Sequence, residues 1–426
     1  MMRRSSRRWR DVIANDIERD ERRSRRVEDG IRRALDGAVT KTVGKGVAMV
    51  VPSLAIGGAE TQLVRLAGSL ARLGPVHVLV KHLGDARLEH FRAPLEAAGV
   101  SIESIGLERW SSVAGEDDRI PRLDQNLHEL TRALVIAFER IRPAAVHGWM
   151  DEAGTATALA AVICGIAHIV IDTRSLRPTW FETRGVESIR SALRVLVERG
   201  GVHLVNNSRA GADDYRDWLQ LNAEIRVVRN GFHESGLAAR LRRRNAGDHH
   251  PVIGGIMRLS VAKRPDRWID AARAFISANP SSRFRLWGEG PLKDLIVRRV
   301  RGWRLSRHIV LSGETLDVAA ALGEIDVFLM TSDVEGTPNV VLEAQWSGVP
   351  VVALAVGGIA EAIAPELRHL LVENETALVA ALSRALSLDR DFVRDVGQRF
   401  VRETFDPTRQ LREYLALYGA AIAVGR

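Results

Sequence analysis

The run Asp326-Val-Phe-Leu-Met330, Thr331-Ser-Asp-Val-Glu-Gly-Thr-Pro-Asn-Val340, Val341-Leu-Glu-Ala-Gln-Trp-Ser-Gly-Val-Pro350, Val351-Val-Ala-Leu354 decides the fold. Two short apolar segments flank a polar loop that turns into a helix, so the run reads as strand, loop, helix, strand. Thr337 is placed to cap the helix, with Pro338 at its first position, where a missing N–H costs nothing. The amides of Asn339, Val340 and Val341 are then helix-start donors without intrahelical partners. Together with the helix dipole they suit a phosphate group. Glu335 precedes the helix and Glu343 lies inside it, with seven residues between them. Carboxylates accept strong hydrogen bonds from sugar hydroxyls. A phosphate site flanked by two carboxylates therefore fits a ligand that carries both phosphates and hydroxyls. Taken singly, each glutamate reads as a capping or solvated residue; the whole string is the specific signal.

Working outward, the same alternation recurs. Gly46-Val-Ala-Met-Val-Val-Pro-Ser-Leu54 has the composition of a buried strand and is followed by Gly57-Gly58-Ala59-Glu60 and an amphipathic helix to Leu73. A glycine turn opening a βα unit allows close approach of backbone to a ligand. It is not the G-x-G-x-x-G pattern, so a nicotinamide cofactor is not expected. Further strands are expected at 76–82, 100–105, 144–147, 168–173, 203–207 and 225–228. Helices are expected at 86–98, 122–141, 153–163, 186–199 and 210–221. Repeating βα units imply a parallel sheet covered on both faces, with ligands beyond the carboxyl ends of the strands. By that rule His147, ending its strand, faces a ligand, as do Arg258 and Lys263 after the strand 252–257. Two cations so placed can neutralise a leaving diphosphate. The chain divides into a basic extension (1–45), a first domain (46–232), a linker (233–250), a second domain (251–405) and a terminal helix (406–426).

These strings together resemble the retaining nucleotide-sugar glycosyltransferases of family 4, whose signature is E-x7-E. The resemblance spans roughly residues 46–405, is strongest over 258–358 and is loose in the first half. It implies an α/β protein of the GT-B fold, two Rossmann-like domains facing a cleft, in which the terminal helix often crosses back to the first domain. It implies transfer of a sugar from a nucleotide-diphosphate sugar to a glycan or lipid-linked glycan acceptor. The setting by analogy is bacterial envelope or exopolysaccharide assembly, in the cytoplasm or on the inner membrane face. By the same resemblance Glu335 contacts the transferred sugar and Glu343 the ribose. Gly336, Thr337 and the amides of Asn339, Val340 and Val341 hold the diphosphate. Arg258 and Lys263 stabilise its departure, and Gly57 and Gly58 face the donor phosphates. Neither a metal nor a separate cofactor is implied. His147 matches a cleft histidine of many members, but its His147-Gly-Trp-Met-Asp151 context departs from their usual polar pair, leaving catalytic and structural readings open. Asp151, Arg174 and Arg177 are acceptor-side candidates, the arginines through bidentate contacts to an anion; salt bridges are the competing reading. A nucleotide-sugar 2-epimerase and a sugar-nucleotide-binding protein without turnover are the alternatives.

Composition bounds the rest. With 426 residues the chain has room for two or three domains. Its one cysteine, Cys164, rules out an internal disulfide and a cysteine-based metal cluster. The net charge of +8 is concentrated: residues 1–45 hold 12 Arg and 2 Lys against 8 acids, leaving +2 for the rest. The basic character is thus a property of the extension, and no nucleic-acid-binding motif accompanies it. That arm reads as helical or disordered, either in peripheral contact with anionic lipid or phosphate or as a solvated extension, and its acids favour the latter. The longest uncharged run, Ala153–Ile171, is 19 residues. It is close to membrane-spanning length, but its Ala, Thr, Gly165 and His168 read better as a buried helix, a glycine stop and a strand.

Overall fold

A computed structural model describes residues 22, 24–33, 36, 44–106, 118–121, 123–178, 186–199, 201–234 and 250–419. The chain forms two compact units. The first contains the described residues within Met1–Asn206, Ala212–Val228 and Leu411–Arg426; the second contains those within Asn207–Gly211 and Arg229–Gln410. Residues 1–21, which carry half of the extension's arginines, and 235–249 of the expected linker lie outside the described residues.

The first unit is built on seven strands: β1 (Val47–Val51), β2 (Val76–Val80), β3 (Ser101–Ser104), β4 (Ala145–Trp149), β5 (His168–Asp172), β6 (Val202–Asn206) and β7 (Arg226–Val227). Their order is β3-β2-β1-β4-β5-β6-β7, and every pair is parallel. All five residues of β1 are buried, as expected of a central strand covered on both faces. One face packs on the helices Gln125–Ile141 and Asp151–Cys164. The other packs on the helix Gly58–Ala71 and on Tyr414, Leu417 and Tyr418. The long uncharged run resolves into most of an alanine-rich helix, Gly165 in the left-handed conformation that closes it (φ 72°), and most of β5. Among the described residues no helix is long and apolar enough to cross a membrane.

The second unit is a six-stranded parallel sheet: β8 (Val252–Ile256), β9 (Arg283–Trp287), β10 (Ile309–Gly313), β11 (Val327–Met330), β12 (Val351–Leu354) and β13 (Leu371–Val372), in the order β10-β9-β8-β11-β12-β13. The chain winds outward from β8 through β9 to β10, then returns to β8's other side and winds outward again from β11. The crevice between the carboxyl ends of β8 and β11 is therefore a topological switch point, where open α/β sheets bind ligands. Both decisive strings sit there: Arg258 and Lys263 follow β8, and the Glu335–Glu343 string follows β11. Asp389 caps the helix Arg390–Thr404: its carboxylate accepts from the Phe392 amide at 2.8 Å.

The expectation for the N-terminal extension needs correction. Residues 24–33 are helical, and Val27 and Ile31 are buried in the first unit's core at 2% and 0% exposure. Glu28 is paired with Arg194, and Arg32 lies 3.7 Å from Glu198. The apolar pair, four residues apart, falls on one face of the helix, a pattern masked in the sequence by the surrounding arginines. This gives a direct test. Ile31→Ala should lower the unfolding free energy by about 2–4 kcal/mol, the cost of emptying a buried aliphatic site. Denaturant titration showing no loss would return this segment to a solvated arm.

Candidate functional site

In the second unit the loops after β8 and β11 are stitched together by backbone and charge. The Asp333 amide donates to the Ala262 carbonyl at 2.9 Å, and the Thr331 hydroxyl donates to the Arg264 carbonyl at 3.0 Å. The Asp333 carboxylate is gripped by Arg267 at 2.6 Å and Arg264 at 3.1 Å. Gly357 and Gly358, after β12, complete the frame. A Cβ on Gly357 would lie 2.0 Å from the Glu335 carbonyl oxygen, and one on Gly358 would lie 2.5 Å from that of Gly336. Gly357 also holds φ at 50°, so glycine suits it on both counts. The Gly358 amide donates to the Glu335 carbonyl at 3.1 Å.

The outcome is a glutamate with 6% exposure whose Oε1 accepts from the Lys263 Nζ at 2.7 Å. The Lys263 side chain is 31% exposed, so its ammonium is shared between the carboxylate and the surface. Arg258 is exposed and, among the described residues, forms no ion pair. The site thus offers one buried acid, one tethered cation and one unengaged cation at the ends of adjacent strands. Glu343 lies half-buried in the second turn of the helix Asn339–Trp346.

The start of that helix differs from expectation. Thr337 does not cap it; Pro338 occupies the cap position with extended backbone and no side-chain cap. A residue preceding proline is driven to extended geometry, which turns Thr337 away from the helix. Its hydroxyl instead donates to the Asn207 carbonyl at 2.8 Å, and its amide donates to Asn207 Oδ1 at 3.2 Å. The Asn230 amide group donates to the Thr337 carbonyl at 3.0 Å and to Asn339 Oδ1 at 2.8 Å. Of the three expected helix-start donors, the Val341 amide is already committed to the Pro338 carbonyl at 3.2 Å, in a tightened first turn. Asn207 and Asn230 are the site residues that sequence reasoning missed. They read as turn formers, and only their polarity beside apolar strands hinted otherwise. Glu361 is a second omission: its carboxylate accepts from the Arg209 and Ala210 amides at 2.9 Å each and pairs with Arg229 at 3.1 Å.

In the first unit, Gly57 takes the cap position and Gly58, exposed, is the first residue of the helix Gly58–Ala71. The placement of His147 needs correction. It is the middle residue of β4, not its end, because the strand continues through Gly148 to Trp149. The ring is fully buried, with Nδ1 at 2.7 Å from the Tyr418 hydroxyl and Nε2 at 3.9 Å from Asp172. Asp172 Oδ2 accepts from the Tyr414 hydroxyl at 2.5 Å and from Arg174 at 2.7 Å. Arg174 is therefore no surface group; it is 8% exposed, and its guanidinium also lies over the Trp149 ring at 4.7 Å. Arg177 makes the surface contact, 3.5 Å from the Asp214 carboxylate, which also accepts from the Arg177 amide at 2.7 Å. Asp151 accepts from the buried Tyr215 hydroxyl, and burial pushes its carboxyl up to about 6. Burial also holds the His147 imidazole well below its usual range, helped by the charge of Arg174.

Residues 250–388 match the family described as Glycosyl transferases group 1. The Salmonella typhi protein named Vi polysaccharide biosynthesis protein VipC/TviE is 28% identical over 347 residues, covering 74% of this chain and 60% of that protein. The Staphylococcus aureus poly(ribitol-phosphate) alpha-N-acetylglucosaminyltransferase is 30% identical over 124 residues, 29% of this chain and 25% of that protein. The chain thus spans less than two thirds of the length of these curated relatives. Among solved structures, Anabaena HepE in complex with UDP superposes with a TM-score of 0.67 at 18% identity, covering 87% of this chain and 98% of that one. A variant of S. aureus TarM, in complex with Fondaparinux, alpha-GlcNAc-glycerol and UDP, gives 0.67 at 14% identity over 88% and 100%. These structures establish the GT-B fold, and the match to the transferase family lies within the second unit.

The buried histidine makes a prediction about pH. A neutral imidazole in the folded state faces an unfolded chain that titrates near 6.5. Its contribution is therefore complete above that pH and is lost as pH falls below it. Relative to His147→Gln, the wild-type protein should lose up to about 1.4 kcal/mol per pH unit between about 6.5 and 5. Equal slopes in paired denaturant titrations would show that His147 protonates freely in the folded protein.

Proposed function

We propose that this chain is a retaining, metal-independent glycosyltransferase that moves a sugar from a nucleotide-diphosphate sugar to a glycan or lipid-linked glycan acceptor. Bacterial envelope or exopolysaccharide assembly is the setting suggested by the names of its relatives. The observation that carries the reading is the Lys263–Glu335 pair at 2.7 Å, held at the switch point of the second sheet within the segment that matches the transferase family. In this reading the acceptor hydroxyl oxygen bonds to the anomeric carbon on the face from which the diphosphate departs, the bond from that carbon to the phosphate oxygen breaks, and the hydroxyl proton passes to the departing phosphate oxygen. Lys263 and Arg258 meet the charge that builds on the departing diphosphate, aided by the start of the helix Asn339–Trp346. Glu335 exchanges part of its bond with Lys263 for the hydroxyls of the transferred sugar and orients it. Glu343 receives the ribose hydroxyls.

Thermal unfolding with UDP, GDP, ADP and CDP tests the donor site, because a ligand that binds only the folded state raises the midpoint by mass action. One nucleotide is expected to shift the midpoint, with Glu343→Ala removing the shift. Lys263→Ala should weaken binding about 10-fold or more, the usual worth of a lost charge-assisted hydrogen bond. The absence of any shift at millimolar nucleotide would overturn the assignment.

A further inference from the structure

The second unit carries a strongly basic surface that the donor site does not use. From Leu295 to Gly313 there is no acidic residue and there are five arginines: Arg298, Arg299, Arg301, Arg304 and Arg307. Arg299 is engaged, lying 3.6 Å from Asp270 and 4.8 Å over the Trp303 ring. The other four recur every third residue. All are exposed, and among the described residues none forms an ion pair or a side-chain hydrogen bond. The contrast is local: Arg264, Arg267 and Arg285 of the same unit are all tied to carboxylates.

Helix electrostatics explains only part of this. The helix Lys293–Gly302 buries Ile296 and Val300, so Arg298 lies on its outward side, and Arg301 in its last turn complements the dipole. Arg304, next after the C-cap Trp303, can still complement the dipole, but Arg307 lies farther on, where the dipole gives no reason for a cation. Leu295, also outward, is 43% exposed. Four unengaged guanidinium groups following an exposed leucine along this segment fit a surface that presents many phosphates beside an apolar layer. Base stacking is disfavoured, because the neighbouring aromatic, Trp303, has Arg273 at 4.5 Å and Arg299 at 4.8 Å against its ring.

We propose that this surface docks the second unit on an anionic phospholipid bilayer. Arg298, Arg301, Arg304 and Arg307 contact headgroup phosphates, and Leu295 enters the interface. The inference stands on the surface itself and does not depend on the transferase reading. It also differs from a contact made through the N-terminal arginines.

The test is flotation of the full-length protein with vesicles of phosphatidylcholine alone or with about one third phosphatidylglycerol, at about 0.1 M salt. Binding is expected only to the anionic vesicles, and it should weaken at about 0.5 M salt as screening shortens the reach of the charges. The variant R298S/R301S/R304S/R307S should lose about fivefold in partitioning per arginine, hence at least about 100-fold in all. An unchanged thermal midpoint would show that this variant is folded. Leu295→Ser, with every charge kept, should weaken binding several-fold. The proposal is overturned if wild-type protein ignores anionic vesicles, or if the quadruple variant binds them as wild type does. It is also overturned if a single-stranded RNA of matched charge competes the protein off the vesicles at equal phosphate concentration.

Discussion

A carboxylate taken almost wholly out of water must be paired or give up its charge, and Glu335 meets that demand through Lys263. Desolvation makes such a pair a poor source of stability, and an apolar pair of similar volume would hold the fold as well. Its presence makes sense as chemistry. The pair leaves a buried acid and a half-exposed ammonium poised at the ends of two adjacent strands, each able to exchange part of its bond for a ligand. Everything near it fixes that geometry. Asp333, gripped by Arg264 and Arg267, anchors the loop that carries Glu335. Gly357 and Gly358 let the next loop lie against its backbone.

The first unit uses buried polarity differently. His147, Asp172, Arg174, Tyr414 and Tyr418 form one cluster with essentially no exposed surface. Its bonds run between the sheet and residues near the chain's end: Tyr418 to His147 and Tyr414 to Asp172. Apolar packing alone would let the terminal helix slide on the sheet. Two directional hydroxyl bonds restrict it to one seating, and removing either partner would leave a buried polar group unsatisfied. The histidine that ranked as a candidate for chemistry is therefore, in this structure, part of a positioning device.

These two clusters mark where sequence reading succeeds and where it stops. Both parallel sheets were legible because apolar runs of four or five residues alternate with helical periodicity. The uncharged run through Gly165 was legible because a glycine can stop a helix where a membrane span would continue. The cation pair after β8 and the glutamate string after β11 could be placed together because parallel topology sends both loops to the same edge. What the sequence could not show was contact at long range. Nothing in Asn207 or Asn230 announces that they bind Thr337, more than a hundred positions away. Nothing in the context of His147 tells a strand end from a strand centre, because Gly148 and Trp149 fit either. Residues 24–33 misled for a related reason. Net charge dominates their composition, yet two aliphatic side chains on one helical face are enough to dock them.

The unexpected start of the helix Asn339–Trp346 strengthens the case for a ligand there. A side-chain cap by Thr337 would have placed a hydroxyl oxygen among the helix-start amides, in competition with any anion. Pro338 in extended geometry prevents this, since it supplies no side-chain acceptor and turns Thr337 outward. The amide, hydroxyl and carbonyl of Thr337 are then all bonded, to Asn207 and Asn230, which fixes the loop, while at the helix start the Val341 amide bonds to the Pro338 carbonyl. A loop held this way has little ordering left to lose when a ligand arrives. Preorganised donors that need no rearrangement are what favour stabilisation of a departing charge over mere binding. The departure from simple capping rules thus falls where a functional site has most use for it.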